Sequence, residues 1–162
     1  MTREEFKNIF DKYFKDVRNY LYYRSGDQEL ATDVAQETFI KLWEKNSDLV
    51  TDNLKALLYK IAGDLLITQI RKRNVILRYK GKVFEEQYSE SPHDLMRYNE
   101  LVTNYEKALE SLPEKQRVVF LLSRMDGMKY FEIAENLGLS IKAVEKRMKN
   151  ALQHLRNAIG EQ

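Results

Sequence analysis

The chain of 162 residues contains no cysteine. Disulfides and thiolate zinc sites are thereby excluded. Only two histidines are present, His93 and His154, and they lie far apart in the chain, so neither a metal centre nor a histidine-based catalytic site is expected. Proline and glycine are scarce, at two and six residues, so few places force a helix to stop. No run approaches the ~20 apolar residues of a membrane span. The N-terminus "MTREEFKNIFDKYF" carries charges where a signal peptide has its apolar core. The expectation is a cytoplasmic protein with no direct membrane insertion and no cofactor. A strong charge of one sign is also missing, since 27 Lys and Arg against 25 Asp and Glu leave a net +2. That is little for a protein that holds a polyanion unaided.

What is present is helical periodicity. Apolar residues recur at spacings of three and four almost throughout, without a strand-like alternation, so the fold class is all-α. The first helix spans about Glu4 to Arg24, with Phe6, Ile9, Phe10, Tyr13, Val17, Tyr20 and Leu21 on its apolar stripe, and "SGD" at Ser25 to Asp27 breaks it. A second helix runs from about Gln28 to Lys45. A third follows the polar break "NSDLVTDN" and runs from about Asn53 to Asn74. These three form one bundle, the domain 1–78. The segment 79–94, "YKGKVFEEQYSESPHD", has a glycine, a proline and clustered polar residues and is a linker. A second small helical domain, 95–162, has a stop and restart at "SLPEKQR", a helix Glu114 to Arg124 closed by "MDGM", a short helix Tyr130 to Leu137, the turn "GLS", and a last helix from Ile141 to about Ala158.

In that last helix Ile141, Val144, Met148, Ala151 or Leu152, and Leu155 make one apolar stripe. The preceding short helix offers Ile133, Ala134 and Leu137 to cover it. Gly138 supplies the positive φ of a tight turn, and Ser140 is the expected N-cap. The opposite face shows Lys142, Glu145, Lys146 and Lys149, flanked by Arg147 and Asn150. This is the layout of a helix-turn-helix whose second helix enters a DNA major groove. Spacing alone also allows a helical hairpin with a merely solvated polar face.

"LPEKQRVVFLLSRMDGMKYFEIAENLGLSIKAVEKRMKNALQHLR", Leu112 to Arg156, resembles region 4, the promoter-reading domain of the extracytoplasmic-function (ECF) bacterial sigma factors of the sigma-70 superfamily. The matching positions include Leu112, Pro113, Gln116, Arg117, Phe120, Gly127, Glu132, Ala134, Gly138, Ser140, Val144 and Arg147. Response-regulator effector domains share the core of this pattern. The first half separates the two, because "ATDVAQETFIKLWEK", Ala31 to Lys45, resembles the sigma region 2 helix that grips the clamp of the polymerase β′ subunit. Helical spacing places Asp33, Glu37, Lys41 and Glu44 on one face of it, with Leu30, Val34, Phe39, Leu42 and Trp43 on the buried sides. "NLKALLYKIAGDLLITQIRKRN", Asn53 to Asn74, resembles the helix that binds and opens the −10 element. It departs from the family pattern, with Leu57, Gly63, Asp64 and Thr68 where many members have Trp, Arg-Asn and Asp.

The resemblance implies a non-enzymatic protein that directs core RNA polymerase to promoters, and no nucleophile, metal or phosphate-loop constellation contradicts it. It implies polymerase binding through Asp33, Gln36 and Glu37. It implies −10 DNA contacts from Asn46, Ser47, Asn53, Lys60, Arg71, Lys72 and Arg73, the loop residues forming a pocket for an unstacked base. It implies −35 contacts from Ser140, Lys142, Ala143, Glu145, Lys146, Arg147, Lys149 and Asn150. The implied partners are core RNA polymerase, through its β′ clamp and β flap, promoter DNA, and an anti-sigma factor. Two alternatives are a stand-alone helix-turn-helix regulator and a helical adaptor that binds no DNA.

Overall fold

The computed structural model describes residues 1–45, 52–73 and 92–160. Seven helices account for nearly all of them: α1 (Arg3–Ser25), α2 (Gln28–Glu44), α3 (Leu54–Arg73), α4 (Pro92–Ser111), α5 (Glu114–Arg124), α6 (Tyr130–Leu137) and α7 (Ile141–Gly160). The fold is all-α, with α1 to α3 in one cluster and α4 to α7 in the other. Asn46 and Ser47 lie outside the described residues, as does most of the expected linker. At its far end the linker is shorter than expected, because α4 begins at Pro92, a residue that fits a first helical turn.

The breaks have simple local causes. In "SGD", Gly26 takes the left-handed conformation (φ 70°) that ends α1, and Asp27 accepts the Leu30 N–H at 3.1 Å to start α2. Thr2 and Glu5 form a reciprocal capping box at the start of α1. Asn53 Oδ1 accepts from Ala56 N–H at 3.0 Å at the start of α3.

Burial follows most of the expected stripes. Val17, Leu21, Leu30, Val34, Phe39, Leu42, Leu58 and Leu66 fill the first bundle, and Leu109, Leu121, Leu122, Ile133, Val144 and Ala151 the second. Two positions differ from expectation. Trp43 is 39% exposed and meets Phe6 of α1 edge to face. Ile141 is 49% exposed, whereas Leu139, in the turn before it, packs against the core. Of the pair left open on α7, Ala151 is buried and Leu152 is not.

The clusters also touch each other, α5 lying on α1 and α6 on α3. Arg117 is 5% exposed. From α5 it donates to the carbonyls of Tyr23 at 2.9 Å and Arg24 at 3.0 Å, at the end of α1, and to its own Leu112 carbonyl at 3.2 Å. A cation placed on the last carbonyls of a helix is favoured by the helix dipole.

Candidate nucleic-acid and polymerase interfaces

The helix-turn-helix is built by α6 and α7. Gly138 adopts φ 68°, and the left-handed turn returns the Leu139 N–H to the Ala134 carbonyl at 2.8 Å. Ser140 Oγ then accepts the Ala143 N–H at 3.0 Å. Val144, Met148, Ala151 and Leu155 are the buried side of α7, and Ile133 and Ala134 of α6 are buried with them. The other side is left outward. Ser140, Lys142, Glu145, Lys146, Lys149 and Asn150 are exposed, and Ala143 and Arg147 are half-buried. None of these charged groups forms an ion pair among the described residues. Their full charge is therefore available to an incoming partner. His154, on the far part of α7, is tied to Ser111 Oγ at 3.1 Å and joins α4 to α7.

The face of α2 is composed differently. Asp33 and Gln36 are exposed and Glu37 is half-buried. Asp33 pairs loosely with Arg73 at 3.9 Å, and Glu37 accepts from Gln69 at 3.4 Å. An acidic residue expected to meet polymerase and a basic one expected to meet DNA thus adjoin each other at one edge of the bundle. Ile40, 57% exposed, continues the ridge from Gln36 by one turn, and Trp43 extends it. Helical spacing assigns no face to Ile40 and places Trp43 inside, so with both exposed the ridge is more apolar than expected.

On α3, Lys60, Arg71, Lys72 and Arg73 are exposed. Asn53 spends its carbonyl oxygen on the helix cap. Of the departures from the family pattern, Asp64 and Thr68 are exposed, with the Thr68 hydroxyl donating to the Asp64 carbonyl at 3.0 Å. Leu57 is half-buried and Gly63 is buried against α1. A Cβ on Gly63 would lie 2.8 Å from the Arg24 guanidinium. No spacing rule could have exposed that contact, because Arg24 and Gly63 are remote in sequence.

Among the described residues no cluster of His, Asp or Glu is placed to hold a metal ion. No described helix is long and apolar enough to cross a membrane.

Comparison with known proteins agrees with both halves. The family model for sigma-70 region 2 matches residues 9–75 and that for sigma-70 region 4 matches residues 103–155. The chain is 27% identical over 151 residues to the ECF RNA polymerase sigma factor SigE of Mycolicibacterium smegmatis, covering 90% of this chain and 58% of that protein. It is 28% identical to the ECF RNA polymerase sigma factor SigW of Bacillus subtilis, covering 97% of this chain and 90% of the relative. A similar fold is found in the sigma factor RpoE of Bartonella quintana, solved in complex with the anti-sigma factor NepR, with a TM-score of 0.70, 23% identity and 98% of both chains covered. With one region model on each helical cluster and ECF relatives spanning nine-tenths of the sequence, the chain belongs to the ECF family of the sigma-70 superfamily.

Proposed function

We propose that the chain binds core RNA polymerase and directs it to promoters whose −35 element is read by α7 and whose −10 element is engaged by α3. The observation that carries this is the unpaired polar face of α7, with Lys142, Glu145, Lys146 and Lys149 turned outward by the buried stripe of Val144, Met148, Ala151 and Leu155. A helix held this way offers its N-terminal half to a major groove. Glu145 belongs there, since a carboxylate accepts from a cytosine amino group. The net charge of +2 is then sufficient, because polymerase supplies most of the hold on DNA and the helix only selects the site.

Polymerase attachment is assigned to the α2 ridge of Asp33, Gln36 and Glu37, with Ile40 and Trp43 giving it an apolar strip. Such a mixed ridge suits a basic protein surface with apolar patches. Arg71, Lys72 and Arg73 at the end of α3 are the phosphate contacts, and Lys60 lies earlier on the same helix. An anti-sigma partner is the remaining element, supported by the structural likeness to a sigma factor solved with one.

Charge reversal tests the attachment. Asp33→Lys with Glu37→Lys lowers affinity for core polymerase at least tenfold while helicity and melting are retained. Unchanged affinity removes the α2 ridge from the interface.

A further inference from the structure

Two exposed helix ridges of this chain are complementary along their whole length. On α2, Glu29, Asp33, Gln36, Ile40 and Trp43 follow one another at spacings of three and four, and all are exposed. On α7 the exposed ridge is Lys142, Lys146, Lys149, Leu152 and Arg156, lining one groove of about 910 Å³ together with Tyr130 of α6 and the buried Met148. Each ridge covers the same stretch of helix, about 21 Å at 1.5 Å per residue. The first is acidic at its start and apolar at its end, with Ile40 57% and Trp43 39% exposed. The second is basic at its start and has Leu152, 44% exposed, toward its end. Among the described residues the ion pair these ridges make is the loose one of Asp33 with Arg73 at 3.9 Å.

Laid parallel, first turn to first turn, the ridges match residue by residue. Glu29 meets Lys142, Asp33 meets Lys146, and the Gln36 amide meets Lys149. Ile40 then falls on Leu152 and Trp43 on Arg156, where a guanidinium is attracted to the indole face. Turned antiparallel, the same ridges set Asp33 against Leu152 and Ile40 against Lys146, so the pattern specifies a direction as well as a pairing. Glu145, which also lines the groove, is the like charge in the parallel register and lies beside Asp33. Within one copy α2 packs on α1 and α3, and α7 packs on α4, α5 and α6. Both ridges face away from those contacts, so the match is open to a second copy.

We propose that the α2 ridge of one copy docks, parallel, in the α7 groove of a second copy, with Ile40 on Leu152 and Trp43 against Arg156. Each copy then keeps one free ridge and one free groove, so association runs head to tail and grows with concentration. Two helix faces of this length make a small interface, which is weak and sensitive to salt. Chain held this way has its polymerase face and its DNA face shielded by other copies until polymerase takes it up. That consequence rests on the proposed function. The docking itself does not, and it is measured with neither polymerase nor DNA present.

Sedimentation velocity of the full chain at about 10 and about 200 µM tests it. In about 50 mM salt the weight-average mass rises by about half or more between the two concentrations, and in about 500 mM salt it returns to the monomer as the charges are screened. Ile40→Glu spoils the ridge and Leu152→Glu spoils the groove. Both positions are exposed, so both variants keep the wild-type fold, which thermal melting checks, and each alone is monomeric. Mixed in equal amounts, the intact ridge of the Leu152→Glu chain fills the intact groove of the Ile40→Glu chain, and a one-to-one dimer forms that cannot grow. Glu145→Gln removes the like charge and strengthens wild-type association. A wild-type chain that stays monomeric at about 200 µM in low salt overturns the proposal. So does a variant mixture that stays monomeric while wild type associates, because association then uses another face. Failure of the wild-type chain to direct polymerase to any promoter overturns the functional reading instead, and leaves sedimentation to decide the docking.

Discussion

The two helical clusters present their charged side chains differently. Along α7 the outward charges are unpaired among the described residues, and the helix is held by its buried stripe, its Ser140 cap and the His154 contact to Ser111. In α1 to α3 some of the corresponding groups are drawn into contacts within the protein, Asp33 with Arg73, Glu37 with Gln69 and Arg24 with Glu114 across the interface, while Lys60, Arg71 and Lys72 stay exposed. The difference separates two kinds of recognition surface. A free polar face keeps its full interaction energy for a ligand that must be chosen among many. A surface that already satisfies itself gives up part of that energy on binding, and suits a partner met over a large area. Exposed pairs such as Asp33 with Arg73 are worth no more than about 1 kcal/mol, so exchanging them for a partner costs little.

The largest expected effect puts both clusters on one scale. Leu66→Ala on α3 and Leu122→Ala on α5 each remove a fully buried side chain. Each loses about 2–5 kcal/mol in urea unfolding. A loss below 1 kcal/mol at either site would contradict the packing assigned to that cluster.

Next in size is base discrimination. Glu145→Ala loses about 1–3 kcal/mol of preference at one base position while leaving stability within about 0.5 kcal/mol of wild type, as surface changes usually do. Lys149→Ala instead weakens binding to all sequences and lowers the salt slope by about one unit. Competition binding with single-base variants of the site distinguishes the two. Equal weakening on every sequence by both variants would take base reading away from Glu145.

The caps compare the clusters directly, since Ser140 starts α7 and Asn53 starts α3 with the same side-chain bond at 3.0 Å. Alanine at either position costs about 1 kcal/mol in thermal unfolding. A much larger loss at Asn53 would mean that this residue holds more than its helix.

The smallest effect is the response to pH at the interface. Burial pushes the Asp126 carboxyl above its ordinary 3.8, the Tyr23 hydrogen bond works against this, Asp16 adds to it, and Lys55 and Lys15 oppose it. Arg18 lines the same cavity. A carboxyl raised in the folded state favours folding most below its ordinary value, and the benefit disappears as pH rises through the raised one. Stability measured upward from pH 3.8 therefore carries a falling contribution from this group. Asp126→Asn removes it; an unchanged pH profile in that variant would contradict the assignment.

Much of the second cluster is legible in the sequence because its breaks are chemically sharp. Pro113, the "MDGM" turn and Gly138 place the limits of α5 and α6 at the residues observed. Ser140 as cap and Gly138 as turn follow from the same local chemistry. Ile141 and Trp43 were misplaced because periodicity reports which residues share a face, whereas exposure depends on what covers the end of that face. Arg117 matches the family pattern, but its burial under the end of α1 depends on the docking of two clusters. Gly63 is a local anomaly in a helix, and the side chain that a Cβ there would meet, Arg24, arrives from α1. Contacts between elements distant in sequence leave no periodic trace.

The most direct test of the functional account is reconstituted transcription. Purified chain is added to bacterial core RNA polymerase on a pool of promoter fragments, and transcript start sites are mapped for wild type and for Glu145→Ala. The account predicts initiation at a discrete promoter set that core enzyme alone ignores, with the −35 preference relaxed at one position in the variant. Stable binding to polymerase with no promoter-dependent transcript, or a promoter set indifferent to Glu145, would contradict it.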